Sequence, residues 1–218
     1  MDLFSCFKKS KTTPSQNEKE YLCVQYRTTI DHLHQFMEFK KATPSERIAF
    51  LEFAIKVIGK DIESYYLSHF IYEKEEEPSK FFKLFPISFF MESTSKIQGL
   101  LIAGKAVVTV PYDLSKISSA ALDIKEEGFC QNKNYTNGFF VPEFDMVFVT
   151  NGRHHIAAAT AFGGGSVDVD VYSLKEIFSQ LRVSDDGENW ILGEKSLPVY
   201  DARFAVLYEL ARELNQGI

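Results

Sequence analysis

Three cysteines are all that the 218 residues hold. Cys6, Cys23 and Cys130 are odd in number, far apart and without C-x-x-C spacing. That argues against a disulfide framework or a structural zinc site and makes a reducing cytoplasm the expected setting. Long apolar runs are missing as well. The best candidate, residues 99–104, stops at Lys105, far short of the roughly 18 residues a membrane helix needs. Basic charge is in deficit, with 24 Lys and Arg against 30 Asp and Glu and a net charge of −6. A mainly electrostatic nucleic-acid binder is therefore disfavoured. The first nine residues lack the basic start and long apolar core of a signal peptide. Asp2 does not fit myristoylation, and residues 215–218 form no prenylation box.

What the chain has is core-forming material. Hydrophobic residues make up 45 % and Phe alone numbers 20 against one Trp, which excludes a disordered chain and supplies a sizeable interior. Residues 8–17 are polar and read as a flexible lead-in. A helix is expected from about Glu18 to Lys40. Thr43, Pro44 and Glu46 then stand as N-cap, N1 and N3 of a second helix reaching about Ile71, with a bend at Gly59 and a short loop joining the pair. Residues 73–78 read as a solvated linker, and the Phe-rich stretch 79–104 as one or two short buried helices.

The character changes near Lys105. Residues 106–110 are β-branched and close at Pro111. A short helix over 114–124, a loop over 125–138, a short strand over 139–141 and a buried strand over 146–150 follow. Next come a helix ending at Gly163, Gly164 and Gly165, and an alternating strand over 167–171. Ser173 is expected to cap a short helix to Leu181. A turn at 184–189, a small hairpin and an amphipathic helix over 201–214 complete the pattern. The fold class is therefore α+β. A lead-in (1–17) precedes an N-terminal helical region (18–104) and a small C-terminal mixed α/β sheet domain (105–218).

One segment carries chemical content. The strand over 146–150 runs through Asn151 and Gly152 directly into a helix that opens with Arg153, His154 and His155. The first amides of a helix have no internal acceptor, and the helix dipole makes that end positive. Gly152 lets a ligand approach the backbone, and the next three side chains add donors. The pattern points to an anion site, with phosphate as the natural occupant. It has a plainer explanation too: Asn-Gly after a strand is also a turn, and Asn151 can serve only as a helix cap.

A strand, then Asn-Gly-x-His, then Ala157 and Ala158 on a helix, then a Gly and a Val-rich strand, resembles the ParB/sulfiredoxin-like superfamily. The likeness covers roughly residues 105–175. The whole chain also resembles uncharacterised bacterial proteins with an Asn-Gly-x-His signature. The resemblance implies nucleotide-phosphate binding by Asn151, Gly152, Arg153, His154 and His155, with His154 and Arg153 as candidate catalytic groups. It implies a nucleotide, with Mg²⁺ where turnover occurs, and hydrolysis or phosphotransfer as the chemistry. His155 stands where Arg is usual, which weakens the grip on phosphate. Position 153, where a sulfiredoxin-like protein would carry its cysteine, is Arg, which argues against cysteine repair. The alternative is a non-catalytic protein-interaction module on the same fold, with a protein partner or a homodimer in place of a small phosphorylated ligand. No metal site is expected from the histidines: His32 and His34 face nearly opposite ways on one helix. The carboxylates Glu143, Asp145, Asp168 and Asp170 are weaker candidates for acid–base or Mg²⁺ roles.

Overall fold

The computed structural model describes residues 16–39, 41–72, 85, 91–130 and 136–216. The linker at 73–78 and most of the lead-in fall outside them. Helices α1 (Gln16–Phe39) and α2 (Pro44–Tyr72) form where the periodicity placed them. The start of α2 is the expected reciprocal cap. Glu46 Oε2 accepts from the Thr43 amide at 2.8 Å and its hydroxyl at 2.7 Å, while Thr43 Oγ1 accepts from the Glu46 amide at 3.3 Å. The two helices touch through the stacked rings of Phe36 and Phe50, whose centroids lie 4.8 Å apart.

A five-stranded sheet carries the rest. It contains β1 (Ser95–Leu101), β2 (Ala106–Val108), β3 (Asn137–Val141), β4 (Met146–Asn151) and β5 (Ser166–Val171), in the order β1-β5-β3-β4-β2. The pairs β2–β4 and β3–β5 are parallel, and β1–β5 and β3–β4 are antiparallel. Helix α3 (Leu114–Glu127) follows β2, and α4 (Arg153–Ala161) joins β4 to β5. A separate antiparallel meander contains β6 (Leu181–Val183), β7 (Asn189–Leu192) and β8 (Lys195–Pro198), and α5 (Ala202–Gln216) follows it.

Two expectations are corrected. Of the stretch 79–104, where short helices are expected, residues 79–84 and 86–90 lie outside the described residues, and strand β1 occupies Ser95–Leu101, so the sheet begins inside the region read as helical. It is an edge strand with a register break between Ile97 and Leu100, and Gly99 at φ 62° donates its amide to Asp168 Oδ1. An exposed, kinked edge has no period-2 pattern, and its pairing comes from the open side of β5. Ser173 caps no helix. Its hydroxyl donates to Glu143 Oε1 and the Leu174 amide to Glu143 Oε2. Only a 3₁₀ turn (Leu174–Glu176) forms before β6, where Leu181 and Val183 turn inward around exposed Arg182.

Alternation along the central strands divides the interior. Val107, Val147, Val149, Val167 and Val169 face α3 and α4, meeting Ala120, Ile124, Ile156 and Ala159. Val108, Val141, Met146 and Phe148 face the other way, into a core shared with α2, α5 and the meander. The helical region and the sheet therefore bury their apolar faces against each other.

Candidate functional site

Strands β2 and β4 are adjacent and parallel, so their carboxyl ends lie at the same sheet edge, and each feeds a helix. This is where open α/β sheets characteristically bind ligands. The two helix starts differ. At α3, Asp113 Oδ1 accepts from the Ser115 amide at 3.0 Å and the Lys116 amide at 3.3 Å. These bonds hold the Asp113 carboxyl below its ordinary pKa, with the Ser115 hydroxyl as the largest contributor. At α4 the cap is Gly152, at φ 75° and ψ 23°, a residue with no side chain of its own to bond the helix end. The left-handed conformation suits glycine. The Ile156 amide bonds to Gly152 O, so the helix's own backbone pairing begins at Ile156 and leaves the earlier amides to partners outside the helix ladder.

A model of a family of unknown function, DUF6710, matches residues 7–217. The chain belongs to this DUF6710 family. No curated protein matches it, and no solved structure does. The match spans both the helical and the sheet-bearing parts, so the two travel together in DUF6710.

Around the turn, the expected residues are close in sequence but their side chains diverge, as consecutive positions on a helix must. Asn151 is exposed at the end of β4, and Gly152 is half-buried. Arg153 is half-buried. Its Nε donates to Thr150 O at 3.3 Å, and its carbonyl accepts from Thr109 Oγ1 at 3.2 Å. Burial holds this guanidinium somewhat below its ordinary pKa. His154 is 9 % exposed and turns toward the loop between β2 and α3. There its Nε2 accepts from the Tyr112 amide at 3.4 Å, and the Tyr112 ring meets the imidazole edge-on at 4.7 Å. Burial lowers the His154 pKa, helped by Lys116 and opposed by Asp113. The imidazole is thus neutral near pH 7, with its proton on Nδ1 so that Nε2 can accept. His155 is half-buried.

Sequence reasoning missed Thr109, Tyr112 and Lys116 as neighbours of the turn. The available signal was the strand–Pro–Asp–helix pattern at 106–114, which places a second helix start beside the first once β2 and β4 are paired. It also missed a cluster on the opposite face. The Asp201 carboxylate takes the Tyr66 hydroxyl at 3.0 Å and the Arg203 guanidinium at 2.7 Å, and Arg203 also reaches Asp61 at 2.8 Å.

The four weaker carboxylate candidates are engaged elsewhere. Glu143 holds the 3₁₀ turn, Asp145 pairs with Lys105 at 2.7 Å, Asp168 accepts from Gly99, and Asp170 pairs with Lys96 at 3.2 Å. Among the described residues no group of three His, Cys, Asp or Glu side chains is arranged to hold a metal ion. His34 bonds to Glu213 at 2.8 Å and so joins α1 to α5. No helix among the described residues is long and apolar enough to cross a membrane. A groove of about 370 Å³ opens between α1, α2 and α5, lined by Thr29, Val57, Ile58, Asp61, Arg203 and Val206 among others. It lies across the sheet from α4, away from the turn.

Proposed function

We propose that this DUF6710 protein binds an oxyanion, in the form of a nucleotide or other phosphate, at the start of α4. The carrying observation is a helix start whose cap is a left-handed glycine, at the edge where two parallel strands end. Its amides supply the donors, and the positive end of the helix supplies the field. Asn151 is exposed just before this helix start, and the half-buried Arg153 and His155 stand in its first turn, with Arg153 adding positive charge. The resemblance to the ParB/sulfiredoxin-like superfamily supports the same site. Because His154 is turned into the neighbouring loop, we assign it a positioning role and take binding as the primary activity, with hydrolysis or phosphotransfer as the further step to be tested.

A nucleotide or inorganic phosphate that binds only the folded protein should stabilise it by about 2.7 kcal/mol at a hundredfold excess over Kd, read as a rise in Tm. Asn151→Asp places a carboxylate beside the helix end. It should leave the apo Tm unchanged or slightly higher and abolish the rise. An unchanged Tm with ATP, CTP, GTP and phosphate, with and without Mg²⁺, would reject this reading.

The second reading is a protein-interaction module. It is favoured by the exposed Val57, which lines the α1–α2–α5 groove, and by the exposed rings of Phe36 and Phe53 on the same two N-terminal helices, since exposed apolar surface can mark a contact surface. Light scattering at rising concentration tests it through self-association.

A further inference from the structure

We infer that His154 is a proton-sensitive latch that fastens the loop between β2 and α3 to the first turn of α4. The inference does not depend on any ligand at that turn. The loop is held by two bonds of different kinds. At its start, Thr109 Oγ1 donates to the Arg153 carbonyl at 3.2 Å, and neither group titrates. At its end, the Tyr112 amide donates to His154 Nε2 at 3.4 Å, and that bond requires a ring nitrogen without a proton. An imidazolium has two N–H groups and no acceptor, so protonation sets an N–H against the N–H of Tyr112. The first bond acts as a hinge and the second as a catch.

The surroundings set how firmly the catch is held. His154 is nine-tenths buried, and the Tyr112 ring lies against its edge. From α3, Lys116 opposes a positive charge on the ring and Asp113 favours one. On α4 itself, Arg153 and His155 oppose it, as does the positive end of that helix. Thr109 adds no titrating group. Burial, the largest influence, together with Lys116, His155, Arg153 and the helix end outweighs Asp113, and the His154 pKa lies below the ordinary value of about 6.5. The sign of the linkage follows. The folded, latched form binds fewer protons than the open or unfolded form. The latch is therefore fully set above about pH 6.5 and is lost as pH falls toward the depressed value. In that window the closed-to-open ratio should fall by up to tenfold per pH unit. Opening frees the 41 % exposed Tyr112 to swing away, and leaves a cation beside the α4 start.

The experiment is nitrogen-15 NMR on the whole protein. The imidazole nitrogen shifts of His154 should show Nε2 without a proton at pH 7.5. The exchange protection factor of the Tyr112 amide, corrected for intrinsic pH dependence, should fall through the same transition at which His154 titrates. His154→Gln, whose side-chain oxygen accepts at any pH, should flatten that profile, whereas His155→Gln should keep it pH-dependent, with the transition moved slightly upward by the loss of one opposing group. A proton on Nε2 at pH 7.5, or constant Tyr112 protection across the His154 titration, overturns the latch. So does a His154→Gln profile that still follows pH. If His154→Gln fails to fold, the ring-nitrogen shifts and Tyr112 protection of the natural protein decide the matter.

Discussion

Asp201 places three demands on one carboxylate. It accepts from the Arg203 amide at 3.0 Å and so caps α5, it takes the Tyr66 hydroxyl, and it binds the Arg203 guanidinium through two nitrogens. Burial followed by the Asp201 charge drives the Tyr66 pKa far upward, so this phenol stays protonated at every accessible pH. The same guanidinium lies over the Tyr65 ring, 4.7 Å from its centroid. Truncating the carboxylate leaves a buried hydroxyl without its acceptor and a mostly buried cation with only the exposed Asp61 as its ion partner. Asp201→Ala is expected to cost about 3–5 kcal/mol, the range for breaking a buried pair from one side. Asp201→Asn, which keeps an acceptor for the cap and the phenol, should cost less. The ordering is read from urea midpoints at constant m-value.

At the level of elements, α2 protects the sheet as well as packing on it. Strand β2 is an edge, and Glu63 on α2 accepts from its Val107 amide at 2.7 Å, while Lys60 donates to the Lys105 carbonyl at 2.7 Å. Covering an edge in this way blocks pairing with other strands. Glu63→Ala should cost about 1–3 kcal/mol and raise the exchange rate of the Val107 amide selectively. Legibility in the sequence follows the same division between local and borrowed structure. The α2 start was legible because Thr43, Pro44 and Glu46 form their cap among themselves. Strand β4 was legible because a doubly buried strand is continuously apolar, and the Asn151–Gly152 turn because glycine there meets a positive φ. Strand β1 and the Ser173 region were not, since Gly99 leans on Asp168 and Ser173 on Glu143, partners 69 and 30 residues away. The burial of His154 was equally hidden, because it needs Tyr112, 42 residues earlier.

Over the whole molecule, the boundary drawn at Lys105 from composition crosses a continuous interior. Leu51, Ile55 and Ile62 of α2 share one core with Met146 and Phe148 of β4 and Phe204 of α5, and β1 completes the sheet from before that boundary. A fragment of residues 105–218 lacks both an edge strand and the helix covering β2. It should show no cooperative thermal transition by circular dichroism, whereas the full chain should unfold in a single step.

The solitary tryptophan has a practical consequence. Trp190 is fully buried, with Phe85 at 5.4 Å and Tyr208 at 5.6 Å between ring centroids. Among the described residues its indole N–H finds no hydrogen-bond acceptor. It thus sits where the meander, the last helix and Phe85 meet. Its emission is a built-in optical gauge of how tightly those three parts stay joined, and no label is required to read it.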